Sequence, residues 1–154
     1  MRIHGSCHCG NVGYRLDWLP EPAVIPARAC GCTFCVRHGG VWTSCPTGEL
    51  VIRVRDRERV SRYAFGTRTA DFHVCAVCGG VPVVTSEIDG TTYAVVSVNA
   101  MQDVDPARLA RAPVSFDGED VTQRLQRRVR GWIPKVRFEF GTGDALPVVP
   151  VLER

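Results

Sequence analysis

Apolar and polar residues alternate along much of the first two-thirds of the chain. Alternation over about four to eight residues marks a strand with one buried face. Val12–Leu16, Leu50–Arg55, Val60–Phe65, Thr69–Val74, Val81–Ser86 and Thr92–Val98 either follow it or are rich in β-branched residues. Turn residues separate these runs, notably Gly39-Gly40, Pro46-Thr47-Gly48 and Asp89-Gly90. Asp-Gly between two apolar runs predicts a two-residue hairpin, because both central positions accept positive φ at little cost.

Further along, the period changes. Val121, Leu125, Val129 and Trp132 recur at helical spacing, and Gln123 and Arg127 break the alternation. A helix is predicted there, ended by Gly131 and Pro134. Asp105-Pro106 matches an N-cap followed by proline at the first helical position, which predicts a short helix through Arg111. Val136–Phe140 alternates as a last strand, and the tail Pro147-Val148-Val149-Pro150 is too proline-rich for a central one. No repeat or long linker interrupts the chain. The expectation is a single, mainly β domain over residues 1–154.

Composition is consistent with a soluble globular domain, at 45% hydrophobic and 23% charged residues. No apolar run approaches the roughly 18 residues of a membrane-spanning helix. The N-terminus lacks an apolar stretch of signal-peptide length, so a cytoplasmic location is expected. In that compartment eight cysteines, most of them closely spaced, favour metal ligation or catalysis over disulfides. Eighteen arginines and one lysine give a formal net charge of +3, but acidic residues are interspersed with them. The arginine-rich stretches Arg53–Arg59 and Arg124–Arg130 are read as solvated surface. Seven thiolates and two Zn²⁺ would bring the net charge to zero, so no nucleic-acid footprint and no membrane partner are expected.

The cysteines fall into three clusters, Cys7/Cys9, Cys30/Cys32/Cys35 and Cys75/Cys78, with Cys45 alone. Zinc takes four ligands in a tetrahedron, so a pair is half a site. Cys7 and Cys9 with Cys75 and Cys78 would make a closed structural site. The middle cluster offers three sulfurs within six residues, the pattern of a catalytic zinc with one open position. Closure by Cys45, an iron–sulfur cluster and a redox thiol set stand as alternatives there.

Gly5-Ser6-Cys7-His8-Cys9-Gly10-Asn11-Val12, Cys30-x-Cys32-x-x-Cys35 and Val74-Cys75-x-x-Cys78-Gly79-Gly80 resemble the glutathione-dependent formaldehyde-activating enzyme and centromere protein V family. Phe116-Asp117-Gly118 and Arg130-Gly131-Trp132-Ile133-Pro134 also resemble segments of its members. The resemblance implies a β-tent of small stacked antiparallel sheets around two zinc sites, with one or two short helices toward the C-terminus. It implies two Zn²⁺ per chain: a structural ion on Cys7, Cys9, Cys75 and Cys78, and a second on Cys30, Cys32 and Cys35. The implied activity is that of a carbon–sulfur lyase joining a thiol, glutathione, to an aldehyde, formaldehyde. Val36 stands where the family often has arginine, and Val74 where phenylalanine is common.

Around the middle cluster, His38 is the nearest candidate to carry a proton in such a reaction, as a catalytic residue beside Cys30, Cys32 and Cys35. His8 is expected to project away from the metal, and His73 to be a supporting or core residue. Arg37 is a candidate partner for a substrate carboxylate, and Trp42 and Phe34 are candidates to line a pocket. The expected partners are a small-molecule thiol and an aldehyde, and a homo-oligomer is allowed for. The rival reading is a non-catalytic, zinc-stabilised binding module, and the test between them is whether Cys45 closes the second site.

Overall fold

The computed structural model describes residues 1–141 and arranges eleven strands in two sheets. The proline-rich tail at Pro147–Pro150 lies outside the described residues. The smaller sheet orders β1 (Arg2–Ser6), β2 (Val12–Asp17), β5 (Glu49–Val54) and β11 (Lys135–Phe140). The larger sheet has seven strands. From one edge they are β10 (Leu109–Val114), β3 (Ile25–Cys30), β4 (Val41–Thr43) and β9 (Thr91–Ser97), then β8 (Val83–Ile88), β7 (Asp71–Cys75) and β6 (Val60–Tyr63).

The two sheets stack over one core. Val12, Tyr14, Leu16, Leu50 and Ile52 from the smaller sheet meet Ile25, Val83, Ala94 and Val96 from the larger. These side chains sit at every second position of their strands, which is how a pleated sheet sends one set of residues to one face. The Tyr14 hydroxyl, buried between the sheets, donates to the Ser97 carbonyl at 2.8 Å and ties them together. The Asp89-Gly90 hairpin forms as predicted: Asp89 and Gly90 take φ of 50° and 77° between β8 and β9.

The larger sheet is buried on its second face too. Val84 and Val95, one position out of phase with Val83 and Val96, join Trp42 and Cys35 in a separate apolar cluster. Burial on both faces explains why Val81–Val84 and Ala94–Val96 read as continuous apolar runs rather than a clean alternation. Helix α2 (Val121–Gly131) packs against β8 on this face. It begins with a capping box, in which the Asp120 carboxylate accepts from Gln123 N while the Gln123 side chain accepts from Asp120 N.

Arg2–Ser6, Ile25–Cys30 and Val41–Thr43 are strands that the sequence reading did not give, and three further features depart from it. The helix expected from Asp105 through Arg111 stops after a single 3₁₀ turn, Pro106–Arg108. The Asp105 cap is real, accepting from Ala107 N at 2.9 Å. Beyond it, however, Leu109–Val114 pairs in parallel with Ile25–Cys30, and that non-local ladder overrides the helix preference of Ala and Arg. Second, neither sheet is purely antiparallel, because β10 on β3 and β11 on β5 run parallel as edge strands. Third, one helix lies in the first quarter of the chain rather than toward the C-terminus: α1 (Thr33–His38) overlaps the second cysteine cluster.

Candidate metal centres and the adjoining cavity

The first and third cysteine clusters converge. Cys7 and Cys9 follow β1, Cys75 ends β7, and the sulfurs of Cys7, Cys9, Cys75 and Cys78 all lie within 4.8 Å of one another. Each half is a tight turn closed by a left-handed glycine. Gly10, at φ 75°, donates to the Cys7 carbonyl at 2.9 Å, and Gly79, at φ 74°, donates to that of Cys75 at 2.8 Å.

The geometry suits zinc. An ion about 2.3 Å from four thiolates at tetrahedral angles sets the sulfurs about 3.8 Å apart. The Cys7–Cys9 and Cys9–Cys75 sulfur distances are 3.8 and 3.4 Å. Burial pushes the Cys7 thiol up to about 12. Burial opposes ionisation of Cys78 as well, yet the backbone N–H groups of Cys9 and Gly80, together with hydrogen bonds from the Cys75 and Cys9 thiols, outweigh it and hold this thiol at about 6. Packed this closely, the thiols compete for protons, and a divalent cation lets all of them ionise together.

The middle cluster is built differently. Cys30 ends β3, Cys32 is the N-cap of α1, and Cys35 lies in its first turn. The Cys32 sulfur accepts from Cys35 N at 3.4 Å, and Gly39 closes the helix in a left-handed C-cap. Cap and helix therefore turn the three sulfurs toward a common point, all within 4.8 Å of one another. Hydrogen bonding from Cys35 lowers the Cys30 thiol to about 5, and the same interaction raises Cys35. Trp42 Nε1–H donates to the Cys35 sulfur at 3.3 Å, favouring its thiolate.

Cys45 does not join them. Only 2% exposed, it belongs to the core between the sheets, its sulfur 3.2 Å from Thr47 Oγ1. Among the described residues, the middle site has three candidate protein ligands and no fourth.

A cavity of about 300 Å³ opens beside these three sulfurs. Trp42, Phe65, Phe72, Val84, Val95 and Trp132 make it apolar, while Arg28, Arg124, Arg127 and Arg128 line its basic side. Here the reading of Arg124–Arg130 as solvated surface is corrected. Arg128 is only 5% exposed, donating to the Thr69 carbonyl, Thr69 Oγ1 and Ser86 Oγ at 2.7, 2.8 and 3.1 Å. Arg127 stacks 3.6 Å over the Phe116 ring and grips Glu119 with two bonds of 2.6 and 2.9 Å.

The other sequence candidates divide. Trp42 lines the cavity, whereas Phe34 packs into an aromatic cluster with Tyr63, Phe65 and Phe72. The His38 ring is 4.5 Å from that of Phe34 and edge-on to Trp42 at 6.0 Å, and the residue is absent from the cavity lining. Arg37 is exposed and folds back on the Thr33 carbonyl at 2.8 Å. His8 is exposed, and buried His73 bonds Thr85 Oγ1 at 2.8 Å. The residues that sequence reasoning missed are Arg28, Arg127 and Arg128. For Arg127 and Arg128 the available signal was the helical register of α2, which sets Arg124 and Arg128 one turn apart on the same side as Leu125; Arg28, on β3, had no such signal.

Known proteins bear on this arrangement in two ways. The glutathione-dependent formaldehyde-activating enzyme family profile matches residues 2–114. The crystal structure of a Rhodobacter sphaeroides protein is 31% identical to this chain, covering 71% of it and 97% of its own length at a TM-score of 0.53. No curated protein matches the chain. The basic helix α2 lies beyond the matched span. Also among the described residues, no helix is long and apolar enough to cross a membrane.

Proposed function

Because the chain belongs to the glutathione-dependent formaldehyde-activating enzyme family, we propose that it is a zinc-dependent carbon–sulfur lyase. It forms or cleaves an S-hydroxymethyl-type adduct between a small, glutathione-like thiol and an aldehyde. One observation carries the reading. Cys30, Cys32 and Cys35 meet a cavity where a structural zinc site would have a fourth protein ligand.

Zinc at these three cysteines would supply a Lewis-acidic fourth position that lowers the pKa of a substrate thiol. The protein's own groups do the rest. Trp42 orients Cys35 through its indole N–H. The aromatic lining keeps water from the reacting atoms and strengthens the electrostatics between them. The positive charge of Arg127 favours ionised sulfur at Cys30.

In the forming direction the sulfur attacks the aldehyde carbon, the C–S bond forms and the C=O π pair moves to oxygen. The thiol proton ends on that oxygen, and cleavage is the reverse. His38 is held by aromatic packing outside the cavity lining, so we assign the proton's path to solvent at the mouth instead.

The test begins with zinc per chain in the wild type and in Cys45→Ala. Two ions in both, with the zinc X-ray absorption edge shifting as glutathione is added, support an open site. Formaldehyde and glutathione combining faster than they do spontaneously support the reaction. Four sulfurs on each ion, with one ion lost in Cys45→Ala, would overturn the proposal in favour of a zinc-stabilised binding module.

A further inference from the structure

Among the described residues, two guanidinium groups beside the cavity have no carboxylate partner. Arg28 donates to Ser44 Oγ at 2.7 Å, and the Ser44 hydroxyl donates in turn to the Gly131 carbonyl at 2.7 Å. Arg128 bonds through one nitrogen to neutral oxygens of Thr69 and Ser86 and lies 4.9 Å over the Trp132 ring, while its buried Nε has no hydrogen-bond partner among the described residues. Glu119, outside the lining, is committed to Arg127 and lies 3.9 Å from Arg124, and the acid in the lining, Asp117, is exposed.

Removing guanidinium charge from water without an anion is costly, and each added arginine raises that cost. Arg128 is only 5% exposed, and Arg28, Arg124 and Arg127 share the cavity wall with it. A cavity held in this state gains most from a ligand that brings a negative charge. The guanidinium fork also matches the two oxygens of a carboxylate.

We infer that the basic side of this cavity is a carboxylate subsite. Arg28 and Arg128 take an anionic group of the thiol substrate while its sulfur lies toward Cys30, Cys32 and Cys35. The site therefore selects thiols by charge as well as by the thiol itself. This rests on the lyase reading for the identity of the sulfur end, but the anion subsite is a property of the arginines. Arg37, the carboxylate partner suggested by sequence position alone, has no part in it.

The test uses the zinc-loaded full chain and a matched pair of thiols, 3-mercaptopropionate and 3-mercaptopropionamide. Each is assayed with formaldehyde and normalised to its spontaneous rate. The wild type is expected to favour the carboxylate about tenfold to a hundredfold in kcat/KM, chiefly through KM, as for one charge-assisted contact. Arg28→Gln brings that preference toward parity, and Arg28→Lys, which keeps the charge, restores part of it.

A second measurement needs no turnover. Calorimetric titration with 3-(methylthio)propionate, which has the carboxylate but no thiol, is expected to show binding to the wild type and at least tenfold weaker binding to Arg28→Gln. Its amide serves as the control. Equal use of both thiols, together with equal binding of acid and amide, overturns the subsite and leaves the lyase reading intact. Carboxylate binding that Arg28 controls, without turnover of either thiol, upholds the subsite and removes the lyase reading. If Arg28→Gln does not fold, the wild-type comparisons and Arg28→Lys decide the question.

Discussion

A methyl group added at Gly80 tests the four-cysteine centre without replacing a ligand. The Cβ of Gly80→Ala would fall 2.9 Å from Cys7 Cβ and 3.3 Å from Cys7 Cα, where ordinary contacts begin at 3.4 Å. One side must give by about half an ångström, and Cys7 is poorly placed to do so. Its N–H donates to Val12 at 2.8 Å, its carbonyl accepts from Gly10 at 2.9 Å, and its sulfur accepts from Val12 N at 3.3 Å. The strain therefore falls on the geometry of the sulfur cluster.

Overpacking of this kind costs about 1–3 kcal/mol, and at roughly 2–4 °C per kcal/mol the melting temperature should fall by about 2–12 °C. Displacing a ligand's support typically weakens metal binding by about tenfold to a hundredfold. The assay is thermal unfolding with and without excess zinc, alongside zinc release to a chromophoric chelator. One equivalent should leave faster, and excess zinc should recover part of the lost stability. Gly40→Ala is the internal control: its Cβ would lie 2.9 Å from both Cβ and Sγ of Cys35, so it should loosen the other equivalent. If Gly80→Ala melts and releases zinc like the wild type, Cys7, Cys9, Cys75 and Cys78 are not a rigid closed centre and the packing argument fails.

Two further perturbations probe the second centre and its basic wall. Trp42→Phe keeps the aromatic packing but removes the N–H that supports Cys35, so zinc should leave the middle cluster about threefold to tenfold faster. An unchanged release rate in stopped-flow chelation would show that this bond does not support the ligand. Glu119 has its carboxyl held below the usual range, chiefly by hydrogen bonding from Arg127. A lowered folded-state pKa means stabilisation that is present above the unfolded value and lost as pH falls through the folded one. Glu119→Gln should melt lower than the wild type at pH 7, by an amount on the order of 1 kcal/mol for a partly exposed pair. The two melting curves should converge below about pH 4, and an undiminished gap at pH 3 would mean that the charge is not responsible.

Local pattern revealed a good deal of this protein. The strands at Val12, Leu50, Val83 and Thr91, the Asp89-Gly90 hairpin and the capped helix from Val121 each follow from period and turn chemistry within a few residues. The cysteine spacings marked the two candidate metal centres for the same reason: a chelating turn is made by adjacent residues, so the ligands of each turn are close in sequence. The αL glycines at positions 10 and 79 belong to that local logic as well.

What local pattern missed depends on contacts between distant segments. Ile25–Cys30, with proline, alanine and arginine in it, becomes a strand because β4 and β10 flank it on either side. That same pairing stops the helix at Pro106–Arg108. Cys45, ten residues from Cys35, is carried into the core between the sheets, while Cys35 sits on the outer face of the larger one. Arg28 and Arg128, a hundred positions apart, meet at one cavity because α2 folds over that outer face beside β8. Residue type and spacing decide which side chains can bind a metal. Whether the site is closed, and what charge its neighbours present, depends on long-range packing, and only the tertiary structure specifies that.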